Sequence, residues 1–191
     1  IFQFLMPPTQ PIQKSNIENN EIIQPATSID EQTSTSVNII KPKEEILNNN
    51  QRVFIETPAL KGSINLKGAI LDDLELLNYK ISLDENSKNI ELFLPDGTSN
   101  PYYFEIGWKQ INETSIDLPN LETEWKSNSN SLSLNKNVVL SWKNNQNITF
   151  KITYEVDENY MFSIKQEILN ESNKTIDVFP YRLIKRINTP D

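Results

Sequence analysis

Residues 148–168 read ITFKITYEVDENYMFSIKQEI, and this stretch decides the fold. Over residues 148–156 every second residue is apolar and the residues between them are polar, which is the period of a β-strand with one buried face. A polar turn follows at residues 157–159, and the alternation resumes over residues 160–168. Two such runs joined by a short polar turn predict an antiparallel hairpin.

The chain from residue 52 onward carries further short runs of β-branched and aromatic residues. Pro, Gly, Asn and Asp separate these runs, as is typical of a sandwich or barrel. We find no convincing helical period, so the sequence predicts an all-β, antiparallel domain of about nine strands. The further strands are predicted at residues 52–57, 62–67, 74–81, 90–94, 102–106, 138–142 and 175–184.

The N-terminal part of the chain differs from the rest in composition. Residues 9–51 are rich in Asn, Gln, Ser, Thr, Glu and Pro and contain no aromatic residue, which predicts a disordered polar linker. A flexible coil of this length has an end-to-end distance of roughly 35–40 Å. Residues 1–8, IFQFLMPP, are apolar but too short to cross a bilayer, which needs about 20 residues. They are either the last turn of a helix or the start of a fragment.

The net charge and the missing side chains exclude several classes of function. The 191-residue chain carries a formal net charge of −8, so it lacks the basic face that nucleic-acid binding requires. It contains no His and no Cys, which removes the commonest general base, the commonest transition-metal ligand and every thiol. We therefore predict no catalytic, cofactor-binding or metal-ligating residue, no cofactor and no nucleic-acid partner.

Carboxylates are the one enzymatic option that the composition leaves open. Asp72, Asp73, Asp117, Glu122 and Glu124 could act as acid and base in a glycosidase-like reaction. Nothing in their spacing singles them out, so a structural or solvated role is the favoured interpretation for each.

Aromatic residues form a second candidate site, because exposed rings bind sugars in some β-sandwiches. Alternation places Tyr102 and Phe104 on one face of their strand and Tyr103 on the other, so that at most one or two rings are free. Core packing is therefore favoured over a sugar-stacking platform. The candidate rings are Tyr102, Tyr103, Phe104, Trp108, Trp125 and Trp142.

Four segments, taken together, resemble the first periplasmic domain of the YidC family of membrane protein insertases, and they occur in the family's order. They contain a Gly-x-Ile-x-Leu-x-Gly run, a Pro-Tyr-Tyr-x-x-x-x-Trp run and an Asp-x-x-Tyr-Met-Phe turn. The segments are ETPALKGSINLKGAILDDLELLNYK at 56–80, LFLPDGTSNPYYFEIGW at 92–108, VVLSWKNNQNITFKITYEVDENYMFSIKQEILNES at 138–172 and FPYRLIKR at 179–186.

The resemblance implies a periplasmic antiparallel β-supersandwich over residues 52–191, similar to galactose mutarotases in fold. Mutarotases rely on His, so the resemblance does not extend to their chemistry. It implies instead a non-catalytic domain of an inner-membrane insertase and chaperone, accessory to the insertion and folding of membrane proteins. The implied partners are the Sec translocon components SecDF and SecYEG and nascent membrane proteins. Residues 1–8 would then be the exit of a membrane helix, and the tether would lie outside this chain.

Two further expectations follow from the resemblance. The family's sandwich continues past the segment at 179–186, so we expect residues 52–191 to be an incomplete, N-terminal portion with unpaired strand edges. Such edges predict poor solubility or dimerisation. The alternative function is a peptide- or carbohydrate-binding sandwich module of the cell envelope, and the sequence does not identify the binding surface of either.

Overall fold

Strands account for most of the part of the chain that the computed structural model describes, residues 40–110 and 116–188. These residues lie in the second of the two units into which the chain divides, residues 37–191. A short helix, α1 (Lys43–Leu47), precedes the strands. The strands are Arg52–Glu56 (β1), Leu60–Asn65 (β2), Ile70–Lys80 (β3), Asn89–Phe93 (β4), Tyr102–Gln110 (β5), Lys126–Ser127 (β6), Ser131–Leu132 (β7), Val138–Lys143 (β8), Ile148–Val156 (β9), Phe162–Asn170 (β10) and Val178–Arg186 (β11).

The strands form two sheets. The larger sheet has seven strands in the order β11-β5-β3-β2-β1-β7, with β4 also paired to β3. The smaller sheet has four strands in the order β10-β9-β8-β6. Neighbours pair antiparallel with one exception, since the two-residue strand β7 pairs with β1 in parallel. The prediction of an all-β, antiparallel sandwich is thus confirmed, apart from that one short pair.

The hairpin that decided the fold forms as predicted. β9 and β10 pair antiparallel over nine residues, from Phe162 opposite Val156 to Asn170 opposite Ile148. The apolar residues of β9 are buried and the residues between them are more exposed. All seven further strand predictions are also confirmed, with ends that shift by up to four residues. β6 and β7 were not predicted, because two residues are too few for a period to show.

The core lies between the two sheets. The larger sheet contributes Val53, Ile64 and Trp108, and the smaller contributes Phe150 and Tyr154, among other side chains. The rings of Trp108 and Phe150 lie 5.1 Å apart in an edge-to-face contact that joins the sheets. Burying a side chain such as Phe150 stabilises the fold by about 1.5–3 kcal/mol. Tyr154 is completely buried, and its hydroxyl donates a hydrogen bond of 3.2 Å to the carbonyl of Ala69.

The last twelve residues of the predicted linker belong to the folded part of the chain. The amide of Lys41 donates a hydrogen bond of 2.9 Å to the carbonyl of Gly97, and α1 begins two residues later. The sequence prediction missed this helix because five residues are too short for an apolar period. Residues 1–8, the predicted helix end, and residues 9–39 of the predicted linker lie outside the described residues.

A β-bulge divides β3. Ser63 of β2 pairs with Asp73 and the next residue, Ile64, pairs with Leu71, so that Asp72 is an extra residue in the ladder. Leu71 and Leu74 both point into the core although three positions separate them. The bulge lets both leucines face inward and turns the two intervening aspartates to the opposite face.

Gly62 lies opposite this bulge and is closely packed. A Cβ atom at this position would lie 2.1 Å from the main-chain oxygen of Asp73. Because backbone atoms of a paired strand cannot move aside as a flexible side chain can, any larger residue displaces β3 at the bulge.

We predict that Gly62→Ala destabilises the domain by about 2–3 kcal/mol, because the added methyl group overlaps the backbone of β3. Urea denaturation followed by tryptophan fluorescence measures this change. The exposed neighbour provides a matched control, since Lys61→Ala is expected to change the free energy of unfolding by less than about 0.5 kcal/mol. Equal unfolding midpoints for the two variants would contradict the close approach.

Candidate functional site

Asp72 and Asp73, the adjacent carboxylates of the enzymatic hypothesis, belong to a network of polar side chains on the outer face of the larger sheet. Asp72 forms an ion pair with Arg52 of β1, and both side chains are buried. The Nε atom of Arg52 donates a hydrogen bond of 2.7 Å to the hydroxyl of Ser63, which donates in turn to Asp73 over 2.7 Å. The network therefore ties together β1, β2 and β3.

Burial raises the pKa of the Asp72 carboxyl group above its ordinary value. The charge and hydrogen bond of Arg52 lower this pKa again, but only in part. A buried ion pair adds little to the free energy of unfolding compared with an apolar pair of similar size. Removing one partner, however, leaves the other charge buried without compensation and destabilises the fold.

Lys43 extends the network to α1. Its ammonium group lies 2.8 Å from a carboxylate oxygen of Asp73 and 2.8 Å from one of Glu91 in β4. Burial lowers the pKa of Lys43, but the hydrogen bonds and charges of the two carboxylates outweigh it, so that the pKa is raised. Asp73 is thus engaged with Ser63 and Lys43, and the two ion pairs hold the helix on the sheet.

The other three candidate carboxylates lie outside this network of polar side chains. Glu122 forms an exposed ion pair of 2.6 Å with Lys67, and Glu124 pairs with Lys67 through the main chain. Asp117 contributes its main-chain oxygen, which accepts a hydrogen bond of 2.9 Å from the Asn144 side chain. Asp72 and Asp73 are adjacent, and Asp72 and Glu122 line one pocket beside Lys67. Each of these three carboxylates is held in an ion pair. Within residues 40–110 and 116–188, no group of three or more acidic side chains is placed to hold a metal ion.

The aromatic candidates are mostly in the interior. Tyr103, Trp108 and Trp125 are each only 5% exposed. Trp108 and Trp125 stack at 6.2 Å between ring centroids, and Trp108 also contacts Phe150. Rings whose faces already contact other rings are not available to stack on a sugar. The burial of these three residues removes the sugar-stacking platform. Core packing is the role of Trp108 and Trp125. Tyr103 is not part of this core cluster, and the ammonium group of Lys185 lies 5.7 Å from its ring centre.

The remaining three candidate rings are half-buried. The ring of Tyr102 lies 5.2 Å from that of Phe93, and the guanidinium of Arg186 lies 4.8 Å from its centre. Trp142 contacts Phe150, and Phe104 packs against the core. Tyr102 and Phe104 share β5, but Trp142 lies on β8 in the other sheet, and each ring has its own packing partner, so the three rings do not form one platform.

One side of the sandwich, where β10 and β11 end the two sheets, contains none of the candidate carboxylates or rings. β11 pairs with β5 over nine residues, and β10 pairs with β9 over nine residues. Each of these long strands ends its sheet, so within the described residues its other edge has no strand partner. Several apolar side chains at this side are 43–56% exposed, namely Leu169, Phe179, Leu183, Ile184 and Ile187.

Two side chains bridge the open edges. Arg182 of β11 donates a hydrogen bond of 2.8 Å to the main-chain oxygen of Ile164 in β10. Gln166 of β10 donates one of 2.8 Å to the main-chain oxygen of Gly107 in β5. The first bond occupies a main-chain acceptor of the edge strand β10, whereas the second ties β10 to β5, which is not an edge strand.

Proline blunts the edge of β11 further. Ile187 donates a main-chain hydrogen bond to Pro101, so in the antiparallel ladder the alternate residues Pro180, Arg182 and Ile184 direct their main-chain groups away from β5. Because Pro180 has no amide hydrogen, the outer edge lacks one donor at this position. The edge remains available for pairing but is partly protected against it.

The two packed sheets and the buried core define the chain as an antiparallel β-sandwich domain whose candidate catalytic side chains are used in structure. The family model of the YidC periplasmic domain matches residues 52–191. The chain therefore belongs to the YidC family, and this region is similar to the family's periplasmic domain. Within the part of the chain that the structure describes, no helix is both long and apolar enough to cross a membrane.

Curated relatives agree with the family match, and each is named "Membrane protein insertase YidC". The relative from Methylorubrum extorquens (strain PA1) is 40% identical over 148 residues, which cover 78% of this chain and 24% of the relative. The relative from Rickettsia massiliae (strain Mtu5) is 42% identical over 165 residues, 86% of this chain and 27% of the relative. The relative from Rickettsia bellii (strain OSU 85-389) is 47% identical over 135 residues, 71% of this chain and 24% of the relative. The chain thus spans about a quarter of these relatives' length.

The buried ion-pair network was missed by the sequence reasoning, although a signal was present. The run Ile70-Leu71-Asp72-Asp73-Leu74 places two adjacent charges inside an apolar strand and breaks the period of two. Such a break is typical of a β-bulge. The partners Lys43 and Arg52 could not be found in this way, because they join the bulge from distant parts of the chain.

We predict that Asp72→Asn destabilises the domain by about 3–5 kcal/mol, because Arg52 then remains buried without its carboxylate. The double variant Arg52→Met with Asp72→Leu should recover much of this loss, since it removes both charges. Chemical denaturation of the unchanged protein, of Arg52→Met and Asp72→Leu separately, and of the double variant yields the coupling energy between the two residues.

The surface pair Lys143 and Glu171 is the matched control. Their ammonium and carboxylate groups are 2.9 Å apart, but both side chains are about half exposed, at 50% and 52%. The same cycle with Lys143→Met and Glu171→Gln should give a coupling of about 0–1 kcal/mol. A coupling energy for Arg52 and Asp72 as small as this would refute the structural role of the network.

We also predict weak, concentration-dependent self-association through the free edges of β10 and β11. Static light scattering should show a rising average mass as the protein is concentrated. Ile184→Lys should suppress the rise, because it places a charge on the exposed edge. Phe54→Lys, which alters an equally exposed apolar residue inside the larger sheet, should leave it unchanged. A constant monomer mass, or equal suppression by both variants, would count against edge pairing.

Proposed function

We propose that this chain is the periplasmic domain of an inner-membrane insertase of the YidC type, and that the domain itself is not catalytic. The observation that carries the proposal is the family match over residues 52–191. The non-catalytic role is supported by the ion pairs that hold the two adjacent candidate carboxylates, Asp72 with Arg52 and Asp73 with Lys43. A carboxylate in a tight ion pair is poorly suited to exchanging protons with a substrate.

The same match supports a proposal for the position of the domain. The relatives are named as membrane protein insertases and are about four times as long as the matched region. We infer that membrane helices of the full protein hold this domain at the periplasmic face of the inner membrane. Insertion itself would then reside in the membrane part, and the domain would be accessory to the insertion and folding of membrane proteins.

Docking to the Sec translocon, through SecDF or SecYEG, is the accessory role that we propose. The support from the structure is the number of exposed apolar side chains, which include Phe54, Leu83 and Ile184. Exposed apolar residues of this size are frequent at protein interfaces. Nascent membrane proteins that emerge beside the domain are the second class of partner.

Peptide binding by strand addition is the second candidate function, and the free edges of β10 and β11 favour it. An extended segment can pair with such an edge through main-chain hydrogen bonds, with little dependence on its sequence. The carbohydrate version of this hypothesis has no comparable support, because Tyr103, Trp108 and Trp125 are buried.

The proposal predicts that the domain is needed for association with the translocon but not for insertion. In the full-length protein, residues 52–191 are replaced by an unrelated β-sandwich of similar size. SecDF and SecYEG that co-purify with the detergent-solubilised protein are quantified, and insertion of a membrane-protein substrate is measured in cells. We expect co-purification to fall severalfold while most of the insertion activity remains.

A deletion of residues 9–39, which keeps the domain, is the control and should preserve co-purification. Unchanged co-purification after replacement of the domain would exclude docking to Sec. Loss of insertion to background would show that the domain is more than accessory. Normal docking combined with loss of bound extended peptides would favour strand addition as the main role.

A further inference from the structure

Two turns that are distant in the sequence meet at one end of the sandwich. The first turn joins β3 to β4, and the second joins β9 to β10. The rings of Tyr79 and Tyr160 meet edge to face, with 5.8 Å between their centroids. The side chain of Asn78 donates a hydrogen bond of 2.9 Å to the hydroxyl of Tyr160. Because Asn78 and Tyr79 are near the end of β3, these contacts bring the start of the first turn next to the second turn.

The end of β3 and the two turns are rich in exposed apolar side chains. Tyr79 is 51% exposed, Ile81 68% and Met161 65%, and Leu83 is fully exposed. Together with Tyr160 they form what we call the turn patch. Tyr, Met and large aliphatic side chains grouped in this way are typical of the centre of a protein interface. Isolated exposed residues need no explanation, but a group contributed by two separate turns does.

Tyr160 adopts an unusual backbone conformation to reach its position. Its φ angle is 67°, in the left-handed region that Gly and Asn occupy more readily than a bulky aromatic residue. The carboxylate of Asp157 accepts hydrogen bonds from the amides of Asn159 and Met161, at 2.8 and 2.9 Å, and so fixes this turn. Strain of this kind persists where it places a side chain for a purpose. Here it places the ring that connects the two turns.

Acidic side chains surround the turn patch. Asp84 and Glu85 lie in the first turn and Asp157 and Glu158 in the second, against two lysines, Lys80 and Lys88. This excess of negative charge repels an anionic lipid surface. It also disfavours contact with the turn patch of a second copy, which carries the same acidic residues. It attracts a partner whose apolar contact residues are flanked by Lys and Arg.

We propose that the turn patch is a preformed docking surface for a protein segment that presents apolar side chains flanked by basic residues, the simplest being an amphipathic basic helix. The tyrosine contact holds the surface in one shape before binding, which lowers the entropic cost of association. This inference goes beyond the proposed function, because it requires neither the Sec translocon nor an insertion activity.

The test uses the 191-residue chain and a model helical peptide of about 18 residues, built from Leu and Lys in an amphipathic pattern. Amide chemical shifts map the binding site, and a titration yields the dissociation constant. We expect the shifts to concentrate at residues 78–88 and 157–162. Leu83→Ser with Met161→Ser should weaken binding at least about tenfold, because one large, exposed apolar side chain is then lost from each of the two turns.

Two matched controls separate the turn patch from other exposed apolar residues. Phe54→Ser on the outer sheet face and Ile184→Ser at the edge of β11 should each change the dissociation constant by less than about twofold. Tyr160→Gly should weaken binding severalfold, because it removes the ring contact with Tyr79 that joins the two parts of the patch. Tyr160 also packs against the core, so the folded fraction of this variant is measured beside its affinity. A folded Tyr160→Gly variant that binds as tightly as the unchanged chain would contradict the role of the ring contact.

Four results would overturn the proposal. The first is equal binding of a peptide in which Glu replaces Lys, and the second is an unchanged affinity of the Leu83 and Met161 variant. The third is loss of binding in the Ile184 variant instead, which would assign the peptide to the strand edge. The fourth is binding of phosphatidylethanolamine and phosphatidylglycerol vesicles that the Leu83 and Met161 substitutions abolish, which would make the patch a lipid-binding surface.

Discussion

The contact between Trp108 and Phe150 is the interaction on which the rest of the domain depends. It joins the larger sheet to the smaller one, with 5.1 Å between the ring centroids. Trp125 stacks on Trp108 from one side, and Trp142 contacts Phe150 from the other. Because aromatic side chains bury more apolar area than any others, this cluster accounts for a large part of the core. Rings used in this way cannot also form a ligand platform, so these four rings are not available to stack on a sugar.

A second constraint acts on the opposite face of the larger sheet. The bulge at Asp72 lets Leu71 and Leu74 both reach the core, and it leaves two adjacent carboxylates pointing outward. Arg52 and Lys43 neutralise them from two other elements. Buried charges of this kind add specificity more than stability, since an apolar pair would hold the strands together as well. The network therefore fixes where the N-terminal helix lies on the sheet.

The sequence was sufficient to predict the longer strands. It was insufficient to predict the short helix, the two-residue strands and the contacts between distant side chains. The period of two over residues 148–168 defined both strands of the central hairpin, because burial of one face is a local property of the sequence. The helix at Lys43–Leu47 was missed because its position depends on contacts with Asp73 and Glu91, which lie far away in sequence. The contact of Tyr79 with Tyr160 was likewise invisible, since it joins the end of β3 to a turn about eighty residues later in the sequence. Composition predicted the absence of His and Cys chemistry directly, but only burial could decide the roles of Trp108 and Trp125.

The strand edge of β11 and the turn patch differ in whether neighbouring residues protect them from binding. At the edge of β11, Pro180 removes an amide donor and Arg182 covers a carbonyl of β10, which are devices that discourage strand pairing. At the turn patch nothing comparable protects Leu83 and Met161, and Tyr160 is held in a strained conformation beside them. Protection at one surface and strain at the other indicate different roles. An edge that is guarded in this way suits contact with a defined strand, whereas apolar residues on a preformed turn suit docking of a separate partner.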